Sequence, residues 1–471
     1  MKIKFCGAAR FVTGSAHLIE LDNGYKILLD CGLFQGKGNK IWEWNNQWHF
    51  NPEEIDCLIL SHAHIDHCGR IPKLVKDGFK GRIFCTHATR SLCAVMLMDS
   101  ASIQEKDVEW FNEKVMKKRK KDFSKIRTPL YDTEDVVPAM SLFISFPYDQ
   151  WVGVHENVRI FFKDAGHILG SASVTLEIEE HGKKQIIAFT ADIGRPDRPI
   201  LRNPQIMPEA DYLICESTYG DRVHESTPEQ SEQFLKVIRH TCLEKKGKLI
   251  IPAFSLGRTQ EIVYMLDKME HAGILPHIPV YVDSPLAVNV TNIFNLHPEC
   301  FDNELLRYIR ENENPFGFNH LFYIRNVEES KKLNDTQQPC IIISASGMMN
   351  AGRVKHHLFN SIENPKNTFL IVGYCTPDTP GGLLRAGAET INVFGEEKIV
   401  RAEVVIMDSF SAHGDKNEMF DFIENQLPSV KKVFLVHGEY ETQKQFKGFL
   451  NAKGFKNVVI PDIGEEVILN D

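Results

Sequence analysis

The stretch Ser61-His62-Ala63-His64-Ile65-Asp66-His67-Cys68-Gly69 decides how this chain is read. It follows an apolar run, Cys57–Leu60, that reads as a strand. Three histidines and one aspartate stand within the six residues 62–67. Side chains alternate along an extended segment, so His62 and His64 fall on one side, while Asp66 and His67 turn to the other. One short loop can then feed two neighbouring metal ions. Neutral imidazole nitrogen and carboxylate oxygen are the donors zinc prefers at a catalytic site that keeps a water. Four side chains cannot complete two such sites, so more donors are expected at the ends of other strands. The candidates are His167 in Ala165-Gly166-His167, Asp192 in Ala191-Asp192-Ile193-Gly194, His413 in Ser411-Ala412-His413-Gly414-Asp415, and His437 in Val436-His437-Gly438-Glu439. Each sits where an apolar run meets a turn containing glycine. Alone, such a histidine is more often structural; four of these residues together, after an anchor motif, read as ligands.

Outward from the motif, the chain opens with two short strands, Lys2–Cys6 and Ser15–Leu21, and Asn23-Gly24 marks a hairpin into Tyr25–Asp30. A helix is expected from about Gly69, and another over residues 91–125 that ends in the basic run Lys117-Lys118-Arg119-Lys120-Lys121. That run reads first as a solvated helix face, with RNA contact the lesser alternative. A second block starts near Val158 and repeats the first. Thr13-Gly14-Ser15-Ala16-His17-Leu18 is echoed by Leu169-Gly170-Ser171-Ala172-Ser173-Val174, and Asp30-Cys31-Gly32 by Asp192-Ile193-Gly194. Two echoes in the same order predict two similar β-rich halves in an αββα sandwich. From residue 218, helical stretches (Gln230–Lys245, Thr259–His271) alternate with short apolar strands (Lys248–Pro252, Val280–Val282, Cys340–Ser344, Phe369–Val372), the pattern of a parallel α/β domain. The expected division is 1–217, an inserted domain over 218–400, and a return to the first domain over 401–471 that includes the strands Val404–Met407 and Val433–Val436.

A chain of 471 residues is long enough for two domains with their own cores. Its net charge of −9 gives no overall pull toward nucleic acid, so affinity for RNA must come from local basic groups and the metal site. The N-terminus reads as a strand and lacks the apolar region of a signal peptide. No window is apolar enough to span a bilayer, so no membrane association is expected. Eleven scattered cysteines without a Cys-x-x-Cys pair fit reduced thiols in a cytoplasm.

These residues carry a resemblance. His62-x-His64-x-Asp66-His67, with Asp30 before it and His167 and Asp192 after it, resembles the metallo-β-lactamase superfamily. Glu216 in Cys215-Glu216-Ser217-Thr218-Tyr219-Gly220, with His413 and His437, resembles the extra motifs of its β-CASP branch, as do Pro252-Ala253-Phe254-Ser255-Leu256-Gly257-Arg258 and Asp283-Ser284-Pro285-Leu286-Ala287. The opening Gly7–Ser15 is similar to the group that holds the 73-kilodalton subunit of cleavage and polyadenylation specificity factor and compact prokaryotic relatives. Neither the N-terminal KH-type extension of archaeal relatives nor a long C-terminal domain is expected here, which would leave RNA selection to the core or to a partner. The resemblance implies an αββα metallo-β-lactamase sandwich with an inserted β-CASP α/β domain, and two zinc ions per chain. His62, His64 and His167 would hold the first zinc, Asp66, His67 and His437 the second, and Asp192 would bridge them. Asp30 would orient a ligand histidine or the 62–67 loop.

The implied activity is that of a zinc-dependent ribonuclease acting on single-stranded RNA, as endonuclease or 5′-exonuclease. Two metals sharing a hydroxide would attack in line and leave a 5′-phosphate and a 3′-hydroxyl. With seven metal positions filled, His413 is the candidate general acid, and Glu216 the carboxylate that keeps it protonated. Ser255, Arg258, Ser344, Ser346 and Gly347 are expected to grip phosphates where strands run into helix starts; simple capping by Ser255 and Ser346 is the other reading. RNA is expected to enter as a single strand between the two domains. DNA-directed members of the branch usually carry valine at the position of His437, which favours RNA. A DNA nuclease, a small-molecule ester or thioester hydrolase, and an inactive scaffold are the alternatives, and homodimerisation is left open.

Overall fold

The alternation Lys2-Ile3-Lys4-Phe5 places Ile3 and Phe5 inward and both lysines toward solvent, and the computed structural model builds its first sheet from that strand. It describes residues 1–36, 39–117, 126–224, 230–312, 314–373, 375–407 and 412–469. One compact unit comprises Met1–Val223 with His413–Asp471; the other is His224–Ala412.

In the first unit, β1 (Lys2–Phe5), β2 (His17–Glu20) and β3 (Lys26–Leu29) form an antiparallel meander. Then β4 (Cys57–Ile59), β5 (Arg82–Thr86) and β6 (Phe143–Phe146) continue in parallel. Parallel neighbours need crossovers, and these carry the helices Ile71–Lys76, His87–Lys117 and Thr133–Met140. A second sheet runs through β7 (Trp151–His155), β8 (Val158–Asp164), β9 (Ala172–Glu180), β10 (Lys183–Phe189) and β11 (Tyr212–Glu216). Apolar residues of both sheets, among them Ile3, Ile27 and Leu29 with Val174, Ile187 and Phe434, form one core between them. The other face of the second sheet packs Leu213, Val433 and Leu435 against Met419, Phe420, Phe446 and Leu450 of the helices Lys416–Ile423 and Tyr440–Ala452. The echoed halves are visible in the backbone: Gly14 and Gly170 hold matching left-handed conformations, φ +81° and +80°.

The second unit has strands β12 (Lys248–Pro252), β13 (Val280–Asp283), β14 (Leu321–Tyr323), β15 (Cys340–Ser344) and β16 (Thr368–Ile371), and a separate hairpin of β17 (Thr390–Val393) and β18 (Glu396–Ile399). With β19 (Glu403–Ile406), the six strands pair wholly in parallel in the order β14-β13-β15-β12-β16-β19. β12 and β15 are buried along their whole length, which fits their unbroken apolar runs. The tail then supplies β20 (Lys432–Val436) and β21 (Val458–Val459) to the second sheet and β22 (Glu466–Ile468) to the first.

Three expectations are corrected. The strand near Val404 belongs to the inserted sheet, paired with β16, and not to the returning domain. The helix expected from Gly69 begins earlier: a first turn, Ile65–Cys68, starts inside the metal motif with His64 at its cap, before the helix Ile71–Lys76. No helix starts at Ser346-Gly347. The turns after β15 are closed by Ser346 N–H donating to Ala351 O at 3.2 Å, and the helix begins only at Val354. The long helix is described as His87–Lys117; Lys118–Lys121 of the basic run lie outside the described residues. Among the described residues, no helix is long and apolar enough to cross a membrane.

Candidate metal centre

Asp30, His167, Asp192, Glu216 and His437 stand at or just beyond strand ends of the first unit, and His62–His67 occupy the loop and helical turn after β4. Asp30 follows β3 with φ +57° and is fully buried. Its Oδ1 accepts from Ser61 N–H at 2.9 Å, and its Oδ2 from the hydroxyls of Ser61 (3.0 Å) and Ser15 (3.1 Å) and from His67 Nδ1 (2.7 Å). A carboxylate oxygen accepts, so His67 donates from Nδ1 to Asp30 and its Nε2 is turned to the centre.

Two groups of donors result. The first joins His62, His64, His167 and Asp192. His64 Nδ1 lies 3.2 Å from both His62 Nε2 and His167 Nε2, and Asp192 Oδ2 lies 3.4 Å from both those Nε2 atoms. The second joins Asp66, His67 and His437. His437 Nε2 is 3.2 Å from His67 Nε2 and 3.4 Å from Asp66 Oδ2, and Asp192 Oδ1 faces both rings at 3.3 and 3.6 Å. Asp192 therefore presents one oxygen to each group. A third group, Asp192, Glu216 and His413, adjoins them.

These residues fit metal ions. The Thr218 hydroxyl donates to the His437 carbonyl oxygen at 3.1 Å and stands 3.0 Å from His437 Nδ1. With its one proton spent on the carbonyl, it accepts from Nδ1, which turns the Nε2 edge of His437 to the centre. The Nε2 atoms of His67 and His437 then face each other 3.2 Å apart, where a cation would meet both. Asp192 Oδ1, buried, has no hydrogen-bond donor among the described residues, and a buried acceptor without a partner is costly unless a cation meets it. Burial lowers His62 and His167 and takes His64 down to about 3, so all three rings are neutral, the ligating form. For His67, burial also opposes charge, but Asp192 and Asp30 outweigh it and raise its pKa; a bound cation would act against that proton.

His413 is placed differently. Its Nδ1 lies 3.3 Å from each oxygen of Glu216 and 4.0 Å from Asp192 Oδ2. Burial opposes its charge, yet Glu216 and Asp192 raise its pKa to about 9. Glu216 ends β11 and also accepts the Ile193 N–H. Gly414 N–H, donating to Ile193 O at 2.9 Å, holds the His413 turn against the Asp192 turn. Ser15 and Ser61, which donate to Asp30, and Thr218, which meets His437 Nδ1, were not singled out from the sequence. The signal was adjacency, since Ser61 precedes His62 and Thr218 follows Glu216 by two residues.

The residues expected to grip phosphate lie in the second unit, at the carboxyl ends of β12 and β15. Arg258 is buried and pairs with Glu261 one turn on. The Ser255 hydroxyl meets that of Ser284 at 3.0 Å, Ser344 donates to Asp283 O at 2.9 Å, and Ser346 to Asn350 Oδ1 at 2.8 Å. Each side chain thus has an internal partner, and Gly347 contributes only backbone.

A sandwich of this kind with paired His and Asp clusters at its strand ends defines a metallo-hydrolase. Residues 9–210 match the metallo-beta-lactamase superfamily, residues 259–384 the Beta-Casp domain, and residues 398–461 the Zn-dependent metallo-hydrolase RNA specificity domain. Ribonuclease TTHA0252 of Thermus thermophilus is 33% identical over 469 residues, 99% of this chain and 100% of that protein. An RNase J-like protein of Methanocaldococcus jannaschii is 32% identical over 442 residues, 93% of this chain and 92% of that one. Cleavage and polyadenylation specificity factor 73 of Drosophila melanogaster is 31% identical over 452 residues, 95% of this chain but 61% of that protein. The chain belongs to the metallo-β-lactamase superfamily, in its β-CASP branch, a family of metal-binding hydrolases.

Proposed function

We propose that this chain is a zinc-dependent ribonuclease that hydrolyses phosphodiester bonds of single-stranded RNA and leaves 5′-phosphate and 3′-hydroxyl ends. The observation that carries the reading is the pair of donor groups sharing Asp192, whose two oxygens face one group each. His62, His64 and His167 would hold one zinc, and Asp66, His67 and His437 the other. When bound, two such ions supply a nucleophile at neutral pH and relief of the charge that builds on phosphorus oxygens.

The residues do the rest. Asp30 keeps Nδ1 of His67 protonated and so keeps its Nε2 a ligand. His413, held in its charged form by Glu216, carries the proton the leaving oxygen needs; Nδ1 is committed to Glu216, so Nε2 delivers it. In the inserted unit, Ser255, Arg258, Ser344, Ser346 and Gly347 would contact phosphate, the four side chains by exchanging their internal partners. Relatives named as ribonucleases along the whole chain support RNA as the substrate.

The deciding experiment is a digest of 5′-labelled RNA, with and without a 5′-monophosphate, beside matched single-stranded DNA and an acyl ester. Cleavage of RNA alone, lost on chelation and restored by zinc, is expected. Equal rates on DNA, or activity on the ester only, would overturn the reading. The same digest separates endonuclease from 5′-exonuclease by product length.

A further inference from the structure

Folding leaves one large apolar side chain outside at the carboxyl end of β12. Phe254 stands two residues beyond that strand, between Ala253 and Ser255, both buried, yet it is 43% exposed. The segment is not a loose one. Ala253 N–H donates to Ser344 O at 3.0 Å, and the Phe254 carbonyl oxygen accepts from Thr259 N–H at 3.2 Å and from the Thr259 hydroxyl at 2.8 Å. The neighbouring strand and the first turn of the helix Arg258–His271 therefore fix the backbone on both sides of the ring.

The ring itself rests on a peptide. A Cβ built on Gly347, three residues beyond β15, would come 3.0 Å from Cδ2 and Cε2 of Phe254, tighter than ordinary side-chain contacts. Glycine at 347 is thus what allows the ring to sit there. Part of the ring is seated on Gly347 and 43% of the side chain stays exposed, with the hydroxyl of Ser255 next in sequence, paired with Ser284, and that of Ser346 beside Gly347, paired with Asn350.

Two occupants can be compared by shape. A protein partner needs a contiguous apolar patch of several hundred Å², and the residues flanking this ring, Ala253, Ser255 and Gly347, are small or polar. A single fixed ring beside hydroxyl groups suits a planar ligand whose edges form hydrogen bonds. Nucleobases are such ligands, and stacking on an aromatic ring tolerates any sequence because every base has a π face. We infer that Phe254 is a stacking platform that binds and orders one base of a single-stranded RNA. The inference rests on the ribonuclease reading and adds to it a second kind of contact, made to a base and not to phosphate.

The test uses the full zinc-loaded chain and single-stranded oligoribonucleotides in which one position at a time lacks its base. For the wild-type protein, one abasic position is expected to lower kcat/KM about tenfold, within the range that base–aromatic stacking supports. Phe254→Ala should lower kcat/KM on intact RNA by a similar factor, mainly through KM, and become indifferent to that abasic position. Phe254→Trp should restore the rate, whereas Phe254→Leu should not. The dependence of binding on salt should keep its wild-type slope, since no phosphate contact is removed. Unchanged zinc content and thermal unfolding in the variants separate loss of the platform from loss of the fold. Equal response of Phe254→Ala and wild type to every abasic position, or full activity in Phe254→Leu, would overturn the inference while the ribonuclease reading stands. Absence of any RNA cleavage by the wild-type chain would overturn both.

Discussion

His437 adopts φ +51° at the end of β20, with its N–H bonded to Ala8 O at 2.7 Å. That left-handed turn is uncommon for a residue with a Cβ, and it aims Nε2 at Asp66 and His67. The ring is therefore placed by backbone geometry as well as by Thr218. His437→Ala is expected to lose one of two zinc equivalents and to lower activity at least about a hundredfold. Asp192→Ala should lose both, because each of its oxygens faces a different group, whereas His413→Ala should keep both. Elemental analysis of the purified variants checks the order; equal metal loss from Asp192→Ala and His413→Ala would contradict the assigned roles. Asp30→Asn tests the layer behind. An amide cannot accept from His67 while receiving three other donors, so zinc affinity should fall roughly 10- to 100-fold, measured by competition with a chromogenic chelator.

At the scale of elements, the turns between strands and ligands show the tightest constraints. A Cβ on Gly32 would lie 1.6 Å from Asp66 O, the carbonyl that accepts from Ser15 N–H. Gly32→Ala must push the metal loop away from β3, so it should cost roughly 2–4 kcal/mol of stability and weaken metal binding together, readable as a joint fall in unfolding midpoint and zinc content. The end of β8 gives a pH-dependent case. Burial raises Asp164 from the ordinary 3.8 to about 7, against the Gly166 N–H and Arg202, which favour the charged form. Below pH about 4 the carboxyl is protonated whether the chain is folded or not, and it costs nothing. Between about 4 and 7 only the unfolded chain ionises, so stability falls as pH rises; above about 7 the penalty is constant. Asp164→Asn removes that penalty while its Oδ1 can still accept from Gly166. Relative to wild type, the variant should gain on the order of 2–3 kcal/mol between pH 5 and pH 8, measured by urea unfolding at each pH; a flat difference would refute the raised carboxyl.

At the scale of the whole molecule, contiguity decided what the sequence disclosed. His62–His67 lie together and follow an apolar strand, so the donor cluster was legible, as were the strands Lys248–Pro252 and Cys340–Ser344, each a bounded apolar run. The sheet to which Glu403–Ile406 belongs was not legible, because strand propensity says nothing of which partner a strand will choose. Nor was the partner of Arg258: an arginine at a helix entrance looks like an anion site until Glu261 is seen one turn away. His437 was legible as a candidate, but its dependence on the fold is visible only in the sheet. β20 lies between β11 and β21, with Val436 registered beside Glu216. The strand that carries the last donor of the second group is thus an interior strand of the core formed by Phe434, Val436 and Ile214. Metal binding and folding of the tail should then be one event. A ligand bound only by the folded chain adds RT ln(1 + [L]/Kd) to stability, so chelation should lower the unfolding midpoint of the unit formed by Met1–Val223 and His413–Asp471. All three metal-competent groups among the described residues lie in that unit. The unit His224–Ala412 has its own core around Ile250, Ile342 and Phe369, and its transition should not move. A chain ending at Asn425 lacks β20, β21 and β22 and leaves β11 paired on one side only, with β10. It should bind no zinc in the second group and show no activity, even where the transition of the inserted unit survives in calorimetry. A truncated chain that kept two zinc ions, or an inserted unit that shifted as far as the first on chelation, would show that the tail and the metal centre are not coupled in this way.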